Sequence, residues 1–125
     1  MDKDCVFCDE SKIVGEVFHH SDSVMSFVPL NPVIEGHRVF VPKKHVPDFW
    51  DDPKTFAEVC EVVAICADKF KDYNIITSKG KNATQSVFHL HVHLIPRKEN
   101  DGLLLPWTET YPRETPMKST SGEGE

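Results

Sequence analysis

Apolar and polar positions alternate with a period of two along most of the chain, and with a helical period along one segment. Side chains of a strand point to opposite faces in turn, whereas a helix returns to the same face every three or four residues. Residues 13–20 and 23–28 are rich in β-branched and aromatic side chains and are parted by Ser21-Asp22, the signature of a hairpin. Pro29-Leu30-Asn31-Pro32 breaks the pattern as a loop. Arg38-Val39-Phe40-Val41, entered from Gly36 and stopped by Pro42, reads as a third strand. Asp52-Pro53 combines a helix N-cap with proline at the first helical position. After it Phe56, Val59, Cys60, Val63, Ala67 and Phe70 recur at steps of three and four, which predicts an amphipathic helix over 54–71. Tyr73-Asn74-Ile75-Ile76-Thr77 is a fourth strand, and a polar, glycine-containing loop over 78–84 leads to the last apolar stretch, 85–96. The order β-β-β-α-β-β predicts an α+β domain, an antiparallel sheet with one long helix across a face.

The last stretch carries the chemistry. In Phe88-His89-Leu90-His91-Val92-His93-Leu94 the three histidines alternate with apolar residues, so a strand puts His89, His91 and His93 on one face and Phe88, Leu90, Val92 and Leu94 on the buried one. A helix would scatter the rings. Three imidazoles carry six ring nitrogens that need partners, so such a row is a poor choice for core packing and reads as a site. One zinc ion held by all three is disfavoured. The row spans about 13 Å at about 3.3 Å per residue, against zinc–nitrogen distances of about 2.0–2.1 Å. The spacing favours dividing the histidines between roles.

Composition narrows the possibilities. A chain of 125 residues suffices for one domain. A net charge of −6 argues against a nucleic-acid polymer as partner, while a local cluster of donors could still take a small phosphate ester. No apolar run reaches the length of a membrane helix and Met1-Asp2-Lys3-Asp4 does not open a signal peptide, so a cytoplasmic protein is expected. Four cysteines in that setting read as metal ligands or buried thiols. Cys5-x-x-Cys8 precedes every strand signal, which favours half of a zinc site over a redox dithiol. Cys60 and Cys66 lie about 240° apart on the helix and read as buried thiols, not a pair. His19 and His20 flank a turn and read as solvated; His37, taken alone, is an ordinary residue at a strand entrance. Residues 113–125 are polar and end Ser-Gly-Glu-Gly-Glu, so a domain over 1–112 with a disordered tail is expected.

Three blocks in order resemble the histidine triad (HIT) family, in particular its zinc-binding branch. They are Cys5-Val6-Phe7-Cys8, the segment Asn31-Pro32…Gly36-His37…Pro42-Lys43-Lys44-His45, and His89-Leu90-His91-Val92-His93-Leu94-Ile95. The resemblance implies a five-stranded sheet and a homodimer whose sheet runs on across the two-fold axis, with residues 103–107 reaching the partner's site. It implies a structural zinc on Cys5, Cys8, His45 and His89. His91 takes the place of a nucleophile that attacks the α-phosphorus of a nucleotide. His93 and His37 would bind phosphoryl oxygens, His93 also protonating the leaving group. Gln85 and Ser86 fall where side chains contact the phosphate or the bridging atom, and Ser78 and Trp107 fall at further substrate positions. Three residues depart from the pattern: Pro29 where many members carry a ribose-binding Asp, Ser78 where an Asn is common, and Thr84 where Gly often precedes Gln.

The resemblance therefore implies a hydrolase or nucleotidyl transferase acting on nucleotide conjugates such as phosphoramidates, dinucleoside polyphosphates or adenylylated sulfates. A nucleotide-binding module with negligible turnover is the alternative from another class, and a zinc-hydroxide hydrolase a third.

Overall fold

The computed structural model describes residues 5–108. The expected disordered tail, 113–125, lies outside the described residues, as do both ends of the expected 1–112 domain. The chain forms β1 (Val17–His19), β2 (Val24–Phe27), β3 (Arg38–Pro42), α1 (Pro53–Cys66), β4 (Tyr73–Ile76) and β5 (Val92–Pro96). All neighbours in the sheet are antiparallel, in the order β1-β2-β3-β5-β4. This is the expected five-stranded sheet with one helix.

The period of two decides what each face of the sheet meets. Val24, Phe40, Val92 and Leu94 pack with Val59, Val63 and Ala67 of the helical segment and with Val46 and Leu90. Met25, Phe27, Val39 and Val41 point the other way and are covered by Phe7, Ile13 and Val17. The N-terminal segment thus lies on the face opposite α1. Gly36 enters β3 at φ +95°, where a Cβ would come within 2.9 Å of Pro96 Cγ. Only glycine meets both demands, and the tight entry places His37 at the head of β3.

The helix begins as its sequence predicts. Asp52 caps it by accepting the Thr55 N–H at 3.2 Å and the Thr55 hydroxyl at 2.9 Å, with Pro53 at its first turn. It ends at Cys66, and a 3-10 turn over Ala67–Lys69 carries the same face onward to Phe70, so the apolar period outlasts the α-helix. Cys60 and Cys66 are half-buried thiols. Among the described residues no helix is long and apolar enough to cross a membrane.

Two sequence expectations are corrected and a third is refined. The hairpin strands are shorter than the runs that predicted them, and β1 starts late because Gly15 at φ +99° turns the chain ahead of it. The triad stretch is only partly a strand: β5 starts at Val92, and the alternating faces do not extend back to Phe88, which is 52% exposed. Leu90, Val92 and Leu94 are buried as expected. His20 is exposed as expected but not without partners: its Nε2 lies 2.7 Å from the hydroxyl of buried Ser26, and its ring stacks on Phe40 with centroids 5.5 Å apart.

Candidate active site and metal site

The irregular backbone ahead of β5 sends successive histidines to different places. Leu90 N–H bonds Val46 O at 2.7 Å, drawing this segment against the connection that follows β3. His89 is fully buried there, and its Nε2–H donates to Pro42 O at 2.8 Å. That bond fixes the tautomer and leaves Nδ1 with a bare lone pair. Nδ1 faces three further donors: Cys5 Sγ and Cys8 Sγ, each at 3.4 Å, and His45 Nδ1 at 3.1 Å, with Cys8 Sγ to His45 Nδ1 also 3.1 Å. All four ligand atoms lie within 4.8 Å of one another.

This donor set fits zinc. Zinc–sulfur bonds of about 2.3 Å and zinc–nitrogen bonds of about 2.0–2.1 Å make the edges of a tetrahedron about 3.3–3.8 Å long. The four closest spacings, 3.1–3.4 Å, lie within about 0.2 Å of that range, and the remaining pairs within 4.8 Å. Two cysteines and two histidines make a closed set that leaves no position for water, and the bond to Pro42 O orients His89 as an outer carbonyl commonly orients a metal-bound imidazole. His91 and His93 are not part of the cluster.

His91 and His93 form a second group, with rings 5.2 Å apart and edge to face. His91 Nδ1–H donates to His89 O at 2.9 Å, which leaves Nε2 as the ring's lone pair. A different chain of bonds sets His93. Val33 N–H donates to His37 Nδ1 at 3.1 Å, so His37 carries its proton on Nε2 and donates it to His93 Nδ1 at 2.9 Å. His93 must then hold its own proton on Nε2. A bare nitrogen on His91 thus stands beside an N–H donor on His93.

Burial keeps these rings neutral. It holds His37 and His91 below the ordinary histidine range; at His91 the bond to the His89 carbonyl partly opposes the shift. His93 is lowered to about 4, first by burial and then by its neighbours His91 and His37. A neutral imidazole keeps the lone pair a nucleophile needs. The arrangement can therefore offer a nucleophilic nitrogen and a proton donor to one substrate.

The other expected site residues are placed less uniformly. His37 is buried, and both its ring nitrogens are occupied within the protein, so it orients His93. Gln85 is buried with its amide turned to the backbone: Oε1 accepts Gly80 N–H at 2.8 Å, and Nε2 donates to Pro47 O at 2.7 Å and Val87 O at 3.2 Å. It braces the loop ahead of the triad. Ser86 is exposed, Ser78 is half-buried just past β4, and Trp107 is 66% exposed. Two participants were not legible as such. Phe7, between the two cysteines, meets the His91 ring edge-on at 5.2 Å; its place in Cys5-x-x-Cys8 was the available signal. The Val33 amide has no signal in sequence.

Comparison with known proteins now bears on this geometry. The family model for the HIT domain matches residues 10–100. The chain belongs to the HIT family. This HIT chain is 33% identical over 113 residues to an adenosine 5′-monophosphoramidase of Saccharomyces cerevisiae, covering 86% of this chain and 72% of that protein. It is 32% identical over 115 residues to an adenylylsulfatase of Arabidopsis thaliana, covering 82% of this chain and 57% of that protein, so it spans little more than half of the plant enzyme. Among solved structures, a zinc-bound histidine triad family protein from Mycobacterium smegmatis superposes with a TM-score of 0.70 at 30% identity, over 81% of this chain and 80% of that one.

Proposed function

We propose that this HIT protein is a hydrolase or nucleotidyl transferase that acts at the α-phosphate of a nucleotide conjugate through a covalent intermediate on His91. The observation that carries the reading is the pair of opposed tautomers, His91 Nε2 bare and His93 Nε2 protonated. The His91 lone pair forms an N–P bond as the bond from phosphorus to the leaving group breaks. The leaving group keeps that electron pair and takes its proton from solvent, while His93 Nε2–H donates a hydrogen bond to the phosphoryl oxygens. Water then attacks phosphorus and releases its proton to solvent, and the N–P bond breaks to restore His91. Two easier displacements replace one difficult one, and a donor beside the phosphoryl oxygens stabilises charge as it develops.

In this reading His37 holds the tautomer of His93, and Gln85 braces the loop that presents Ser86. Ser78 and Trp107 are left to contact the rest of the conjugate, Trp107 from the partner of a homodimer. Cys5, Cys8, His45 and His89 would hold a zinc ion that tethers the N-terminal segment to the triad. Phosphoramidates and adenylylated sulfates are the leading substrate classes, given the named relatives. The cytoplasm suits both the nucleotide substrate and four cysteines outside any disulfide.

Mass spectrometry of protein quenched during turnover of AMP and GMP conjugates tests this. A nucleotidyl adduct on His91 is expected, with turnover lost by several orders of magnitude in His91→Ala while nucleotide binding persists. Wild-type protein that binds these nucleotides but turns over none of the conjugates would instead make it a binding module.

A further inference from the structure

The backbone that carries His91 has left the sheet, and something else must hold it. The β4–β5 ladder runs from Tyr73↔Pro96 to Ile76↔His93 and stops there. Continued by one step it would bring Thr77 opposite Val92, and His91 lies beyond. At that point a side chain takes over from the ladder: Thr77 Oγ1–H donates to the His91 carbonyl oxygen at 2.7 Å. The neighbouring restraints are the Leu90 N–H bond to Val46 O at 2.7 Å and the His91 ring bond to His89 O at 2.9 Å. The peptide group on the C-terminal side of His91 is reached from β3 through the Phe40↔Val92 pairing, and on the β4 side its carbonyl has Thr77 as partner.

We infer that Thr77 is a positioning residue for the nucleophile, a role that rests on the reading of His91 given above. Anchoring the His91 carbonyl fixes the peptide plane next to its Cα, and with it the direction of the Cα–Cβ bond that carries the imidazole. The ring bond to His89 O then sets the remaining rotation. Strand preference alone does not call for threonine here, because valine has the same branched shape and suits a strand end equally well. The hydroxyl is what valine lacks. Without it the His91 carbonyl loses a bond in a half-buried setting, and Nε2 drifts from the line of attack. Rates fall steeply with displacements of this size, about 10²-fold for a misplacement of about 1 Å. Binding through His93 does not pass through Thr77, so the loss belongs in kcat.

The test compares Thr77→Val, which removes the hydroxyl and keeps the shape, with Thr77→Ser, which keeps the hydroxyl. His91→Ala is run in the same assay on the full chain, with an AMP phosphoramidate as probe. Thr77→Val is expected to lower kcat about 10- to 100-fold with KM changed less than about twofold, while Thr77→Ser stays within about threefold of wild type. The 15N imidazole signals of His91 should broaden or move to a mixed tautomer in Thr77→Val only. Thr77→Ala offers the same contrast with Thr77→Ser if the valine variant does not fold. Unchanged kcat in Thr77→Val, or equal losses in the valine and serine variants that track melting temperature, would overturn the role. Full activity in His91→Ala would instead bring down the nucleophile assignment, and the inference with it. An inactive His91→Ala beside a fully active Thr77→Val brings down the inference alone.

Discussion

Replacing Cys5 and Cys8 together by serine removes two of the four proposed zinc ligands while leaving His91, His93 and His37 in place. The size of the effect follows from what the metal ties together. Cys5 and Cys8 come from the N-terminal segment, His45 from the connection after β3 and His89 from the segment before β5. Structural zinc contributes about 10–16 kcal/mol in finger peptides that have no other core. This domain has two apolar clusters of its own, so it need not unfold when the ion leaves. Free zinc at only about 1,000 times Kd would still stabilise the folded state by about 4 kcal/mol, and in a domain of this size that is about 12–20 °C in melting temperature. The double variant is therefore expected to purify without zinc, to melt at least that much lower, and to keep measurable turnover in the cold. Metal content, melting temperature and rate are read on one preparation. Full zinc occupancy in the double variant would refute the four-ligand assignment. A catalytic ion on the triad would show the opposite pattern, with metal and rate retained in the variant and turnover stopped by a chelator without loss of stability.

Other predictions concern the loop, the acid limb and the assembly. Thr84 is a β-branched residue held at φ +70°, a conformation that costs an L-residue about 1–2 kcal/mol. Thr84→Gly is expected to gain about 0.5–1 kcal/mol after the greater freedom of glycine in the unfolded chain is deducted; a lower denaturation midpoint would contradict this. Because the folded pKa of His93 lies at about 4 and its unfolded value near 6.5, the unfolded chain binds more protons between those limits. The stability associated with neutral His93 is complete above about pH 6.5 and lost as pH falls towards 4, by about 3 kcal/mol at most. His93→Gln should flatten that part of the stability-versus-pH curve. β4 leaves one strand edge uncovered and presents Tyr73 and Ile75 at 40% and 44% exposure, so light scattering should give the mass of a homodimer. A mass that stays monomeric at all concentrations would exclude it.

What could be read from the sequence divides along the line between local and non-local causes. The Asp52 cap, the helix over Pro53–Cys66 and the entry into β3 at Gly36 are encoded within a few residues each, and the residues say so. The Cys5, Cys8, His45 and His89 set came from a family pattern, since nothing local ties residue 5 to residue 89. The start of β5 at Val92 was hidden because the alternation of His89-Leu90-His91 runs unbroken through a backbone that has not yet joined the ladder. Period two reports which side chains are apolar, not which peptide groups are paired. Gln85 illustrates the same limit. Its type and place suggest a ligand for phosphate, yet the carbonyl of Pro47, 38 residues earlier in the chain, takes one of its donors.

The departure from strand geometry also explains how one short motif serves two sites. In an unbroken strand His89, His91 and His93 would stand side by side, about 6.6 Å apart at about 3.3 Å per residue. All three would be equally oriented, each competing for the same ion or phosphate. Here the chain joins the ladder only at Val92, so His93 alone is fixed by pairing with Val39 and Ile76. His89 is free to turn under β3, where Pro42 O and the thiols take it. His91, between them, gives its Nδ1 proton to the His89 carbonyl and is left with Nε2 to present. Each histidine is thus committed by a different backbone partner: Pro42 for His89, the His89 carbonyl for His91, and, through His37, Val33 for His93. Straightening the segment into regular strand would undo these choices while leaving every histidine in the sequence. The chemistry therefore depends as much on the backbone groups released from the sheet as on the imidazoles.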